Sequence, residues 1–386
     1  MAADVQFCHA PSSTSLLAAI GVIGSFERAE FRTSHRALWS RANVPCSLVV
    51  RFVLRGLGAS RAMRGEAAAH NDVTFVRAPE DGPRARSWGP LVSLVGWYEC
   101  ALTAWPRARL LGKAEDDVWL HLPGVEAHLL RTLESLQRAG VAAPEERLYW
   151  GVMEQYSLLH EPNASLRGHP FVGFGFRPAK RACADRRGGE GPFSFAKGPL
   201  HALSAPLAAQ LVAARPFEEY VARVRAHPDE EDGAAAHYFE DAFTGWAVSK
   251  FARGDNLTVV HAGQFLYWDQ WGSHYQGPRH GTVIFHARLK NGGVMRRADD
   301  MTLFARTQHC APRRIELPCY APMALGCNGE KWRVCYANPA AFEPPGCDAR
   351  AICANFTCAP PKEAAAARSA GAAPTVEELR APYCSG

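Results

Sequence analysis

The segment Arg109–Leu120 constrains the fold more than any other part of the chain. It reads RLLGKAEDDVWL, an apolar strand that ends where the acids Glu115, Asp116 and Asp117 begin. Three adjacent carboxylates repel one another, and burying part of them is costly unless a cation lies between them. Ligands of open α/β sheets bind at the carboxyl ends of the strands, where oxygen ligands suit magnesium or manganese carried in with a phosphate substrate. The alternative is a solvated acidic turn before a helix.

The alternation of apolar runs and helical patterns before this segment predicts a parallel sheet. Arginines recur every four residues between the first two apolar runs and so share one face of a helix, which could equally be a solvated basic face. We predict the order strand, helix, strand, strand, helix, strand, typical of a doubly wound α/β layer. The predicted elements are Leu16–Gly24, the helix carrying Arg28, Arg32 and Arg36, Cys46–Leu54, Asp72–Val76, Leu91–Trp105 and the acidic strand itself.

Composition narrows the class of protein. The 386 residues are 47% hydrophobic and 21% charged, which is ordinary for a folded chain with a substantial core. The net charge of +5 is mild, and the arginines are scattered rather than arranged in a stripe. Nucleic acid is therefore not indicated as a partner, whereas a small anionic substrate remains possible.

Cysteine placement indicates a disulfide-bonded tail and an oxidising compartment. None of the late cysteines forms a C-x-x-C pair, so a disulfide framework is favoured over a zinc ribbon. Asn163, Asn256 and Asn355 stand in N-glycosylation sequons, which agrees with a secretory lumen. Eight of the 12 cysteines follow residue 309: Cys310, Cys319, Cys327, Cys335, Cys347, Cys353, Cys358 and Cys384.

The apolar run near the N-terminus is too short to cross a bilayer, so any membrane association would need an anchor that this sequence does not contain. We divide the chain into an N-terminal tail (1–15), a catalytic domain (16–300) and a Cys-rich C-terminal extension (301–386).

Two later segments carry further candidate site residues. HYFEDAFTG contains Glu240 and Asp241 next to aromatic side chains, which would partly desolvate a carboxylate and raise its pKa toward that of a general base. It could instead be a helix start with acids near its positive end. TVIFHARLK places His286 directly after an apolar run, where a His is either structural or a metal ligand.

Together these motifs resemble glycosyltransferase family 31, the β-1,3-galactosyltransferase and β-1,3-N-acetylglucosaminyltransferase type. LLAAIGVIGSFERAEFRTSHRALW resembles the opening strand and arginine helix of that family, VVRFVLRG its second strand, and Glu66 with Asp72 its acid-bearing third. The acidic triplet occupies the place of the DxD motif, with Glu115 where the family usually has Asp. FSFAKGPLHALS resembles a plant-type Gly-Pro segment, and HYFEDAFTG resembles the E-D-V-x-x-G motif.

The resemblance implies a GT-A type, Rossmann-like nucleotide-sugar-binding domain with inverting, manganese- or magnesium-dependent chemistry. It implies Asp241 as general base with Glu240 beside it, and His286 as a metal ligand. The donor would be a UDP-hexose, galactose first and N-acetylglucosamine second, and the acceptor a glycan or glycoprotein in the Golgi or another secretory lumen, with a β-1,3 linkage formed. The expected metal ligands are Glu115, Asp116, Asp117 and His286, and the expected donor-binding residues are Arg28, Arg32, Arg36, Asp72, Lys113 and Gly198.

Two other classes of function stay open. The chain could be a non-catalytic sugar-binding module on a degenerate transferase scaffold, which Glu115 in place of Asp would suit. It could also be a metal-dependent hydrolase of nucleotide diphosphates, because clustered carboxylates also serve two-metal chemistry.

Overall fold

A computed structural model describes the following residues of the chain: 16–41, 45–57, 59–79, 85–141, 147–159, 171–175, 189–214, 218–219, 222, 240–252, 257–262, 266–269, 282–286, 319–324 and 331–336. The strands are β1 Ala18–Ile23, β2 Leu48–Leu57, β3 Val73–Pro79, β4 Leu110–Glu115, β5 Val118–Leu120, β6 Leu148–Leu159, β7 Phe171–Gly175, β8 Gly189–Ser204, β9 Thr258–His261, β10 Tyr267–Asp269, β11 Ile284–His286, β12 Cys319–Ala324 and β13 Lys331–Tyr336. The helices are α1 Ala29–Arg41, α2 Arg61–His70, α3 Ala85–Ala104, α4 Leu122–Arg138, α5 Ala205–Val212 and α6 Glu240–Phe251, and a short 3₁₀ turn, Phe26–Arg28, precedes α1.

The main sheet has the strand order β12-β13-β9-β6-β8-β4-β1-β2-β3, with β7 beside β6. Strands β3, β2, β1 and β4 are parallel, and β8 runs antiparallel between β4 and β6. The chain first builds outward from β1 to β3 and then returns to add β4 on the other side of β1. Ligands of doubly wound sheets bind at such a reversal, outside the carboxyl ends of the strands. That point lies between Ile23 and Glu115, which are partners in the register.

Helices cover both faces of this sheet. Alternate side chains of β1 enter two cores: Ile20 and Val22 pack with α1 and α4, whereas Ala19 and Ile23 pack with α3, α5 and α6. Gly21 lets α3 approach closely, since a Cβ there would lie 2.5 Å from a ring atom of Trp97. The molecule is therefore a three-layer α/β structure, which confirms the predicted α/β class.

A second, three-stranded sheet follows the acidic triplet. The chain leaves the main sheet after β4, turns at Asp116 and Asp117, and enters the small sheet as β5. There β11 pairs antiparallel with β5 and parallel with β10. Because His286 is in register with Val118, this pairing brings the His close to the triplet.

Two features differ from the sequence-based description. The predicted order lacked α2, whose ten residues bury only Met63. The C-terminal region also contributes to the main sheet, since β13 pairs in parallel with β9 and β12 pairs with β13. Residues 1–15, the asparagines of the three sequons and most of the late cysteines lie outside the described residues, so the disulfide-bonded extension stays a prediction. Among the described residues, no helix combines the length and apolar character needed to cross a bilayer.

Candidate metal and acid–base site

Glu115, Asp117 and His286 form a cluster that can hold a metal ion. One ligand atom from each lies within 4.8 Å of the others. His286 Nε2 is 3.6 Å from Asp117 Oδ1 and 3.8 Å from Glu115 Oε2. Asp117 is 1% exposed and His286 9%. Burial, and then the neighbouring carboxylates Asp117 and Glu240, raise the pKa of Glu115, although Lys113 and His286 oppose the shift. Acids packed this closely gain from a cation among them, and one imidazole with two carboxylates suits manganese or magnesium.

Tyr267 orients the His of this cluster. Its hydroxyl lies 3.0 Å from His286 Nδ1, so the opposite nitrogen, Nε2, is directed at the acids. Metal-binding histidines are commonly oriented in this way through their second nitrogen. Tyr267 could not be identified from the sequence, because no local pattern distinguishes it from the other aromatic residues around it.

Asp116, which was expected to bind the metal with its neighbours, faces away from the cluster. Its Oδ1 accepts a 2.5 Å hydrogen bond from Arg28 Nη1. Its buried Oδ2 has no hydrogen-bond partner among the described residues and lies against Gly24, where a Cβ would come within 2.5 Å. Burial raises the pKa of this carboxyl to about 7 despite the opposing charge of Arg28. The Asp116 carbonyl also contacts His35 Nε2 at 2.9 Å, so the turn is held against α1.

Lys113 connects the cluster to the second pair of acids. Its ammonium is fully buried, lies 3.4 Å from Glu115 Oε1, and donates hydrogen bonds to Glu240 and to the Gly198 carbonyl at 2.9 Å. Burial alone would lower the pKa of Lys113, but Glu240 and Glu115 outweigh it and the pKa is raised. A buried ammonium surrounded by three oxygen partners stays charged. Lys113, which was expected to bind the donor, is thus bound by groups of the protein itself.

Asp241 lies in the first turn of α6, next to Glu240. Its Oδ2 accepts a 3.0 Å hydrogen bond from the Gly198 N–H, and its Oδ1 accepts one of 2.7 Å from the Ala242 N–H. Burial, followed by the charge of Glu240, raises its pKa to about 7, although Lys113 acts in the opposite direction. The predicted desolvation of this carboxylate agrees with the structure. Gly198 must be a glycine here, because a Cβ would collide with the Glu115 carboxylate.

The two later arginines of α1 bind acids of the protein itself. Arg32 donates two hydrogen bonds of 2.7 Å to Glu66, and Arg36 donates to both oxygens of Asp72 at 2.6 and 2.8 Å. Arg32 also donates to the carbonyl oxygens of Ser25 and Phe26, in the loop that follows β1. Arg32 therefore holds that loop in place, whereas Arg36 ties α1 to the residue before β3. Of the three arginines Arg28, Arg32 and Arg36, Arg28 is the most open to solvent, with a side chain 35% exposed.

The chain matches no family model, and a search of curated proteins gives no significant match. The geometry of the site and the fold around it are therefore the grounds for the functional conclusion.

Proposed function

We propose that the protein is an inverting, metal-dependent glycosyltransferase of the GT-A type, which moves a hexose from a UDP-sugar to a hydroxyl of a glycan or glycoprotein. The observation that carries this proposal is the linked pair of acidic centres. A metal-type cluster of Glu115, Asp117 and His286 is joined through Lys113 to Glu240 and to Gly198, whose N–H binds the raised-pKa carboxyl of Asp241. Both centres are built around the carboxyl end of β4, beside the strand-order reversal at which nucleotides bind in this class of sheet.

Glu115, Asp117 and His286 would hold the cation, manganese in our proposal. When bound, it neutralises the diphosphate of the donor and stabilises the departing UDP. Arg28 lies beside the same turn and is partly exposed, so it is the arginine best suited to contact a diphosphate oxygen. Arg32 would support donor binding through the loop after β1 rather than by contact, and Arg36 and Asp72, which bind each other, would act only by holding α1 in place.

Asp241 would act as the base. The acceptor hydroxyl oxygen forms a bond to the anomeric carbon while the bond to the UDP oxygen breaks, and the hydroxyl proton passes to Asp241. Attack from the face opposite UDP inverts the configuration. The hydrogen bonds from Gly198 and Ala242 fix the carboxylate, and the charge of Lys113 opposes the pKa-raising charge of Glu240, which favours the deprotonated form that a base needs. Galactose is the first candidate for the sugar and N-acetylglucosamine the second, with a β-1,3 linkage.

Measurement of UDP release tests the proposal directly. Release that needs both manganese and an acceptor supports the transferase. Release without any acceptor indicates a hydrolase, and sugar binding without release indicates a non-catalytic module. A screen of UDP-sugars, with glycans as acceptors and product linkage read by mass spectrometry, then identifies donor and bond.

The compartment follows from the cysteines and sequons and is part of the same proposal. We infer a secretory lumen, the Golgi first. Non-reducing mass spectrometry of protein from a secretory host should show most of the eight late cysteines paired. Eight free thiols in active protein would contradict the luminal assignment.

A further inference from the structure

A small polar group lies beside the site, and its two charged members, Glu154 and Lys197, take no part in the proposed sugar transfer. Lys197 Nζ on β8 lies 2.6 Å from Glu154 Oε1 on β6, and each side chain is 23% exposed. The same ammonium lies 5.6 Å from the ring centroid of Tyr267 on β10. An anion, a cation and an aromatic ring from three different strands thus share one partly open surface.

This group adjoins residues of both acidic centres. Lys197 directly precedes Gly198, whose N–H binds Asp241 and whose carbonyl binds Lys113. Tyr267 in turn contacts His286 of the metal cluster through its hydroxyl. A ligand seated on Lys197 and Tyr267 would therefore adjoin both the strand segment that binds the proposed base and the proposed metal cluster. An acceptor hydroxyl has to reach this position.

The bonding capacity of the group suits the hydroxyls of a sugar. An ammonium has three donors and a carboxylate several acceptor positions, so an ion pair that uses one of each can still bind two neighbouring hydroxyls. An aromatic ring with a few fixed polar groups is typical of small-ligand sites. The pair has no net charge. His261 adds none, because burial and then the nearby charge of Lys197 lower its pKa to about 4.

We infer that Glu154, Lys197 and Tyr267 form the subsite for the acceptor saccharide and that this subsite selects an uncharged sugar over an acidic one. The inference rests on the proposed transferase function and specifies its acceptor. An acidic sugar would place its carboxylate against Glu154, whereas an uncharged sugar can bind both members of the ion pair.

Matched methyl glycosides test the inference without relying on turnover. Methyl β-galactoside and methyl β-galacturonide differ only at C6, and binding of each is followed by saturation-transfer NMR with UDP and magnesium present, because magnesium, unlike manganese, is diamagnetic. The glucose and N-acetylglucosamine pairs with their uronic acids are measured in the same way. We expect the neutral member to bind more tightly, by about fivefold or more. Equal or tighter binding of the acids, or no binding of any neutral glycoside, would overturn the inference.

Variants of the ion pair should change this preference in opposite directions. Glu154→Gln leaves a net positive subsite and should shift selection toward the uronic acid by about tenfold, whereas Lys197→Met should weaken acid binding further. A merely structural role would change both sugars equally. Arg131→Ala, in the exposed Arg131–Glu134 pair of α4, is the control and should change neither.

Affinity for UDP and manganese, measured by calorimetry in the same variants, should stay within about twofold of the native value. If Glu154→Gln leaves the sugar selection unchanged while the native protein still transfers sugar, the proposed subsite is wrong but the transferase function is not. If no transfer occurs with any donor and acceptor, the proposed transferase function itself is contradicted.

Discussion

At the scale of single residues, the Glu at the first acidic position has a geometric consequence. Glu115 Oε1 lies 3.4 Å from Lys113, while its Oε2 faces His286 at 3.8 Å. The longer side chain therefore contacts the buried ammonium and the metal cluster at once. An Asp at this position, one methylene shorter, would not span both partners. Glu115 is consistent with a working site, since its two oxygens serve both centres.

The cluster geometry predicts that the two Asp residues of the triplet differ in role. We expect Asp117→Ala and His286→Ala each to weaken manganese-dependent UDP binding at least tenfold, because each removes a ligand. Isothermal calorimetry with and without manganese measures this loss. Asp116→Asn is the matched control: it changes a carboxylate that faces Arg28, so its effect on metal affinity should be smaller. Equal manganese affinity in Asp117→Ala and the native protein would contradict the site.

The proposed base predicts a loss confined to the chemical step. Asp241→Asn should lower kcat by about a hundredfold or more with little change in donor affinity. Since a base must be deprotonated, activity should fall as pH drops through its pKa, about 7 in the metal-free protein and lower with a cation nearby. Glu240→Gln should be milder. If Glu240→Gln abolishes turnover and Asp241→Asn does not, Glu240 is the base.

At the scale of elements, buried ion pairs join α1 to α2 and to the start of β3. The Asp72 side chain is 1% exposed and that of Arg36 14%, so the pair between them is largely buried. Loss of Asp72 removes two hydrogen bonds of Arg36 and leaves it only Glu66, which accepts one at 2.9 Å. The arginines share a helix face as their spacing predicts, but the acids that they bind belong to other elements.

This pairing predicts a stability effect far from the proposed chemistry. Asp72→Ala should reduce the free energy of unfolding by about 3 kcal/mol, measured by urea denaturation. Glu134→Ala on α4 removes one partner of an exposed pair and should cost less than about 0.5 kcal/mol. An Asp72→Ala protein as stable as the native one would contradict this role and show that Glu66, which Arg36 already contacts, is a sufficient partner.

Local patterns account for most of the elements and for few of the contacts. Apolar runs and helical spacing were enough to predict β1, α1, β4 and the α/β class. Helix α2 was missed because its sequence, RAMRGEAAAH, buries only one residue and so lacks an apolar stripe. The contact of Lys113 with Glu240 spans 127 positions, and no local spacing indicates it. The sequence pattern identified the three acids of the triplet. Only the geometry of the turn shows that Glu115 and Asp117 belong to the metal cluster, whereas Asp116 binds Arg28.

At the scale of the whole molecule, buried carboxyls connect stability to pH and metal. Asp116 and Asp241 have pKa values raised to about 7, whereas an unfolded Asp titrates near 4. In that interval the folded state binds more protons, which lowers the free energy of unfolding as pH rises. The buried His35 and His128 and the half-buried His261 have lowered pKa values and act oppositely, but only below about pH 6.5, where an unfolded His becomes charged.

We therefore expect the metal-free protein to lose stability between about pH 6.5 and 8 and manganese to restore it. The rise in Tm on adding manganese should be larger at about pH 8 than at about pH 5.5, because protons compete for the ligands. Differential scanning calorimetry at both pH values measures it. Asp117→Ala should abolish the manganese effect, and an identical rise at both pH values would contradict the carboxylate site.

The position of the cluster has a mechanical consequence. Glu115 ends a strand of the main sheet, His286 ends a strand of the small sheet, and Asp117 lies in the turn between them. A cation held by all three would be a reversible crosslink between the two sheets. The relative motion of the two sheets would then decrease as the cation concentration rises. The stiffness of the molecule around the cluster would therefore follow the supply of metal in its compartment.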